Sequence, residues 1–486
     1  SYEDVHDAIN EHDISSAKGK FYPTSHTGKN EKRSQFFKAS FDILDKYVLT
    51  ATLRRDGTDK FFPGNKYALF PSVSGAWKIS NENFLKNISW INLLKLRASW
   101  GKTGQDNLGS SLYGSYAPNN FKVNFSDNGI INIPYVSMGA NYPDVSWQKT
   151  TMKNIGLDFY LLSDRISGSF DFFRNDITRL LGYASTSPLA IYETRPINGG
   201  HYYRRGWELM VDTKNLVGEF TWDTSLTFSK TNSFWKERLP NYDYQIYQQR
   251  ENEPMSAYYY YNVTGIINTD RSNMPESQKT LQAEAQLPGC PIIEDKNKDG
   301  KIDENDVYMK DNSPAIYVGI GNTFTYKRFE FSFFMYGQFG IQKYNIAYSA
   351  AQAGPLAVDY PENSNKFAYR LWNSQTNPNG SRPGLAIGKM GALPGNAWVN
   401  ADRENASFMR MRNITLAYNL AGNILGSLQR YVRNIKVYVD AQNPFILTKF
   451  QGFDPEIYTG GGGASGGSRG EYPQTRTFSL GANITF

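Results

Sequence analysis

Apolar and polar side chains take turns along this chain, residue by residue, over runs of about ten positions. In the last segment Phe478, Leu480, Ala482, Ile484 and Phe486 share one face, and Thr477, Ser479, Gly481, Asn483 and Thr485 share the other. Ile435, Val437, Val439 and Ala441 alternate with Asn434, Lys436, Tyr438 and Asp440. Phe329, Phe331, Phe333 and Met335 alternate in the same way with Glu330, Ser332, Phe334 and Tyr336. So do Ile155, Leu157, Phe159 and Leu161 with Asn154, Gly156, Asp158 and Tyr160, and Ile166, Gly168, Phe170 and Phe172 with Arg165, Ser167, Ser169 and Asp171. A period of two with one polar face predicts a half-buried strand. Strands of soluble domains usually stop near five or six residues, whereas a tilted strand crossing a bilayer needs about nine to eleven.

Roughly thirteen such strands are predicted. They lie near 34–43, 46–55, 68–80, 93–103, 148–161, 165–175, 203–214, 219–230, 315–326, 329–340, 406–418, 433–443 and 476–486. The connections alternate as well. Leu44-Asp45, Leu162-Ser163-Asp164, the 215–218 turn and Lys327-Arg328 are tight, and between them lie the long segments 104–147, 176–202, 231–314, 341–405 and 444–475. The 81–92 and 419–432 links are intermediate, and 419–431 is expected to hold a short helix. Short turns at one end and long loops at the other are how outer-membrane barrels are built. The expected fold is therefore all-β, a transmembrane antiparallel barrel of a Gram-negative outer membrane with its C-terminus in the periplasm. Single-chain bacterial barrels usually have an even strand number, so an odd set that starts in an outer loop predicts further strands upstream. Residues 1–33, polar and without period, read as the remnant of an extracellular loop, and 34–486 as the C-terminal portion of the barrel.

Composition changes this picture little. The chain has 486 residues, 40% apolar and 15% aromatic, with a mean hydropathy of −0.54. Lumen-facing residues and polar loops lower that average in any membrane barrel. No stretch of about 18 apolar residues exists to form a transmembrane helix, and Ser1-Tyr2-Glu3-Asp4 has neither region of a signal peptide. Lys and Arg are unclustered and the net charge is +6, which argues against a nucleic-acid partner. Cys290 stands alone, so no internal disulfide framework exists, and it reads as a spectator.

Several runs resemble one family, the SusC/RagA-type TonB-linked outer-membrane transporters. Tyr47-Val48-Leu49-Thr50-Ala51-Thr52-Leu53-Arg54-Arg55-Asp56-Gly57 is similar to their "YxLxATxRxDG" strand, and Phe70-Pro71-Ser72-Val73-Ser74-Gly75-Ala76-Trp77 to the "FPSxSxxW" that follows. Leu94-Lys95-Leu96-Arg97-Ala98-Ser99-Trp100-Gly101-Lys102-Thr103-Gly104 resembles "LKLRxSxGxTG". Arg205-Gly206-Trp207-Glu208, Phe408-Met409-Arg410-Met411-Arg412-Asn413-Ile414-Thr415-Leu416, Gln442-Asn443-Pro444 and Gly452-Phe453-Asp454-Pro455-Glu456 continue the series in family order, through Tyr472-Pro473 to Phe486. Gln105 and Arg179 depart from the family pattern without disturbing the fold.

The resemblance implies a 22-strand barrel type, with a plug, TonB box and N-terminal extension upstream of the sequence shown. It implies a SusD-like surface lipoprotein and TonB–ExbB–ExbD as partners, with import of a glycan or peptide oligomer and no bond chemistry. Phe486 would be the signal read by the barrel-assembly machinery.

The sharpest chemical motif is Asp295-Lys296-Asn297-Lys298-Asp299-Gly300-Lys301-Ile302-Asp303-Glu304-Asn305-Asp306. Side-chain oxygens of Asp295, Asn297, Asp299, Asp303 and Asp306 and the Lys301 carbonyl fall at calcium-loop positions, with Gly300 at the sharp turn. The position that is usually Glu is Asp306, as in dockerin-type loops. A structural Ca²⁺ is expected; the bland alternative is a metal-free Asp/Asn/Gly turn. The glycine run matches G-x-S-x-G at 463–467 and 466–470 and G-x-G-x-x-G at 461–466. It has no strand–turn–helix context, and every His precedes it, so it reads as a linker. His201 beside Tyr202 and Tyr203 reads as an ordinary loop residue. Trp235, Tyr258, Tyr259, Trp372 and Trp398 fall in the predicted long loops and are the candidate ligand contacts, since rings offer rigid apolar faces; loop packing or an interfacial girdle is their bland alternative. A secreted calcium-stabilised adhesin or lectin is the second reading, expected to be soluble without detergent. A glycan-cleaving enzyme would need a carboxylate pair, and none can be identified.

Overall fold

The computed structural model describes residues 31–108, 112, 116–118, 122–124, 130–132, 135–137, 141–186, 194–242, 244–249, 251–345, 368–384, 390–401, 403–421, 426, 430–452, 454–456 and 474–486. Thirteen strands follow one another in a single sheet. They are β1 (Lys32–Ile43), β2 (Tyr47–Thr58), β3 (Tyr67–Lys78), β4 (Ile91–Gln105), β5 (Gln148–Leu161), β6 (Ile166–Ser185) and β7 (Thr194–Leu216). After these come β8 (Phe220–Glu237), β9 (Ile316–Tyr326), β10 (Phe329–Phe339), β11 (Phe408–Ala421), β12 (Asn434–Gln442) and β13 (Thr477–Thr485). Each pairs antiparallel with its neighbour in sequence, and a short strand, Ile446–Thr448, adds to β11. Every strand predicted from the alternation is present.

The register turns the alternation into continuous rows. Ile155, Phe172 and Trp207 are cross-strand partners in one row, and Leu157, Phe170, Leu209 and Phe228 form the next row on the same face. Ile155 and Phe172 remain 59% and 52% exposed, because no second sheet covers this face among the described residues. The remaining sheets have only two or three strands, and both hydrophobic clusters lie chiefly in the connections. An apolar face of this extent needs an apolar solvent. Near the tight-turn end it carries aromatic side chains: Trp222 stacks on Phe324 at 5.7 Å, and Phe324 on Phe331 at 6.0 Å. That is where a barrel places its interfacial girdle.

The tight turns all join strands at the same end. Leu44 and Asp45 both have positive φ, 57° and 54°, the geometry of the type I′ turn that matches strand twist. Asp45 accepts hydrogen bonds from Lys78 Nζ and Asn81 Nδ2, which helps hold a non-glycine residue there. The opposite end carries the long connections, apart from the eight-residue links 59–66 and 186–193.

Three boundaries differ from expectation. β6, β7 and β8 run for 20, 23 and 18 residues, so Arg179, His201 and Trp235 lie in strands rather than loops. Beyond the bilayer a hairpin continues through backbone pairing, here to Ser185 opposite Thr194, and water on both sides removes the need for alternation. The expected helix over 419–431 begins as strand instead, since 419–421 complete β11; most of the remaining link lies outside the described residues. So do residues 1–30 and the glycine run at 457–473.

Candidate functional site: the polar wall and the outer cap

The face opposite the apolar rows carries charge. Lys95 Nζ lies 2.7 Å from Asp158, and the Arg97 guanidinium lies 2.8 Å from Asp158 and 3.0 Å from Asp171. Arg97, Gly156 and Asp171 occupy one row on β4, β5 and β6, so the ion pair spans a strand. Gly156 makes the span possible: a Cβ there would stand 2.5 Å from Asp171 Oδ1 and 2.7 Å from Arg97 Nη2. Lys436 and Glu330 pair at 2.9 Å farther round the sheet. Gly156→Ala is expected to separate Arg97 from Asp171 and lower stability by about 1 kcal/mol or less, as for other partly exposed pairs. The shift in urea midpoint should shrink in an Asp171→Asn background; an unchanged shift would refute this account.

Above the long-loop end, the described parts of connections 238–315 and 340–407 fold together into a cap. Its central strand, Ala257–Tyr261, pairs antiparallel with Tyr308–Asp311 and parallel with Trp398–Val399. Tyr261, Ile267, Cys290, Ile293 and Val307 are essentially fully buried in its core. The Tyr261 phenol donates to the Asp303 or Pro394 carbonyl, each 3.0 Å away. Burial pushes the Cys290 thiol up to about 11, so it stays protonated and inert.

The acidic loop closes the cap's edge. Asp295 Oδ2 accepts from Gly300 N at 2.9 Å, Asn297 Oδ1 from Asp299 N at 3.2 Å, and Asp299 Oδ1 from Lys301 N at 2.9 Å. Asp303 Oδ1 accepts from Asn305 N at 2.8 Å. Asp306 is fully buried and takes the Lys296 and Asp303 amides at 2.9 and 2.8 Å. Gly300 has φ +83°, the left-handed turn its place in the loop requires. Among the described residues no three acidic, His or Cys side chains converge as a preformed metal cluster. Asp295 Oδ1 is nonetheless buried with no partner, an oxygen that a cation would satisfy.

The five candidate aromatics fall in different settings. Tyr259 packs on Tyr247 at 5.1 Å in the cap, and Trp235 sits edge-on to Tyr202 at 6.0 Å at the end of β8. Trp398 is 56% exposed beside Tyr260. Trp372 lines an open groove of the cap, and Tyr258 stacks against Arg403 on the wall of the same groove. His201 Nε2 lies 3.6 Å from Asp176. Phe486 is exposed at the tight-turn end.

One buried ionic cluster had no local signal. Arg410 on β11, 3% exposed, makes paired hydrogen bonds to Asp454 at 2.7 and 2.8 Å and a further one to Glu456, which also accepts from Tyr336. Asp454 Oδ2 in turn accepts from Gln474 N at 3.3 Å. Both ends of the 457–473 loop are thereby tied to the barrel.

A continuous antiparallel sheet with a lipid-type outer face, a charged opposite face and a folded cap at one end defines an outer-membrane β-barrel. The family described as TonB dependent receptor-like, beta-barrel, matches residues 2–443, and the chain belongs to that family. It is 29% identical to TonB-dependent receptor SusC of Bacteroides thetaiotaomicron over 95% of this chain and 44% of that protein. It is 28% identical to TonB-dependent receptor P3 of Formosa agariphila over 96% and 46%. The RagAB peptide transporter superposes with a TM-score of 0.75 at 21% identity, over 97% of this chain and 50% of that one, which shows the fold. The chain thus spans about half the length of the relatives it matches.

Proposed function

We propose that this chain is the C-terminal part of the barrel of a TonB-dependent importer that carries a nutrient oligomer, glycan or peptide, across the outer membrane. The observation that carries this reading is the pairing of exposed apolar rows with a charged opposite wall in one sheet. β1 and β13 form the two edges of that sheet, and unpaired backbone groups in hydrocarbon cost several kcal/mol each. Upstream strands of the same transporter would close the barrel between them, and an upstream plug would fill its lumen. A SusD-like lipoprotein would sit over the cap, and TonB–ExbB–ExbD would supply the pull that displaces the plug. The C-terminus, with Phe486, would face the periplasm and serve barrel assembly. The adhesin reading gains nothing from an apolar face this wide.

The test is uptake of fluorescent oligopeptides and oligosaccharides by cells expressing the full-length transporter and its lipoprotein. Uptake should require TonB. Uptake that persists without TonB, or a full-length protein soluble without detergent, would sink the reading.

The acidic loop would hold a structural Ca²⁺ through Asp295, Asn297, Asp299, the Lys301 carbonyl, Asp303 and Asp306; the buried Asp295 Oδ1, which has no hydrogen-bond partner, supports this reading. The ion would rivet the loop to the cap. Chelation of the intact transporter should therefore expose the cap to trypsin at Lys296, Lys298 and Lys301, and Asp295→Asn should mimic chelation. Cleavage unaffected by chelator and by the variant would show the loop to be a metal-free turn.

A further inference from the structure

The cap carries an open groove of about 660 Å³ between Val263–Ile266, 378–383 and the pair Asn400 and Ala401, with Trp372 on its wall. Arg403 lines it. The guanidinium lies 3.6 Å from the centre of the Tyr258 ring, and that ring is pinned because its phenol donates to Gln342 Oε1 at 2.5 Å. The carboxylate next along the chain is already engaged: Glu404 pairs with Arg382 at 3.1 Å and accepts from Asn345 Nδ2 at 3.2 Å. Arg403 itself forms no ion pair among the described residues. Burial holds its guanidinium below the usual arginine range, opposed only by the Tyr258 and Tyr344 phenols.

A half-buried cation without a counter-ion is costly, and contact with a ring offsets only part of that cost. A planar fork held in place on a ring is also poised for two-point recognition of a carboxylate. Asn268 lines the same groove. The groove therefore offers a fixed cation to a ligand.

We infer that the groove is a binding site for a carboxylate-bearing nutrient oligomer, with Arg403 as the counter-ion of the carboxylate. The carboxylate could belong to a uronic-acid unit or to a peptide terminus, and the chemistry at Arg403 is the same. The inference rests on the importer reading only for the ligand's being a nutrient; binding is read without transport.

The experiment is calorimetric titration of the detergent-solubilised full-length transporter with two matched pairs of probes. One pair is trigalacturonate and its methyl ester, the other trialanine and its C-terminal amide. At least a tenfold preference for the free acid is expected in one pair, and that pair identifies the source. Arg403→Met should abolish the preference, Arg403→Lys should retain part of it, and Lys310→Met on the same cap should leave it unchanged. In the unsubstituted protein, the preferred acid should protect Arg403 from phenylglyoxal, read by mass spectrometry. No preference in either pair, preference surviving in Arg403→Met, or modification of Arg403 unaffected by the acid would each overturn the proposal, whatever the uptake assay shows.

Discussion

Arg410→Met is expected to lower the stability of the folded barrel by about 3–5 kcal/mol, the cost of stranding buried charge. Arg410 is 3% exposed and Asp454 8% exposed, so Asp454 could not turn to bulk water when the guanidinium goes, while the Glu456 side chain is 17% exposed. The loss should not be read as the net worth of the ion pairs, since forming them already required stripping three charged groups of water. The triple variant Arg410→Met, Asp454→Asn, Glu456→Gln should consequently recover a large part of the stability. Urea unfolding of the full-length protein in lipid vesicles separates the two cases. A single variant within about 0.5 kcal/mol of the parent, the range of ordinary surface changes, would show that the cluster is hydrated. The consequence reaches function, because the same carboxylates hold the root of the 457–473 loop through Gln474.

Phe172→Arg is expected to destabilise the inserted barrel by about 2–4 kcal/mol, the cost of arginine on the lipid face near the bilayer midplane. Phe172 stands six residues beyond Ile166, where β6 leaves its tight turn. Six residues at about 3.3 Å each, tilted by about 40°, place it roughly 15 Å into a hydrocarbon layer of about 30 Å. Its row partners Ile155 and Trp207 are apolar too, so the new charge would find no partner on that face. Ser169→Arg lies on the other face, opposite Asp158, and should change stability by less than about 1 kcal/mol. Equal losses from the two variants would mean that both faces meet the same solvent, and the membrane assignment would fall. The contrast needs no knowledge of substrate or partner.

Strand existence, strand facing and the sorting of turns from loops could all be read along the chain. A strand repeats every two residues through its own backbone geometry, so Phe170 and Phe172 announce a face without reference to any neighbour. The bilayer adds one constant length, which is why runs of about ten residues stood out. The signal failed where the bilayer ends. The outer parts of β6, β7 and β8 are strand by pairing alone, and the chain holds no local mark of it.

The cap and its groove were legible only as residue types. Tyr258 and Trp372 are marked by their rings, yet Arg403, which the structure sets on the Tyr258 ring, carries no motif. Arg410 and Glu456 stood in two family-like runs 46 residues apart, with nothing in either to say that they meet. Thus the sequence by itself determined the membrane sheet, since its pattern is local and repeated. Only the tertiary structure decided which charges are paired, buried or left waiting, because those contacts join segments whose separation along the chain sets no preference for one partner over another.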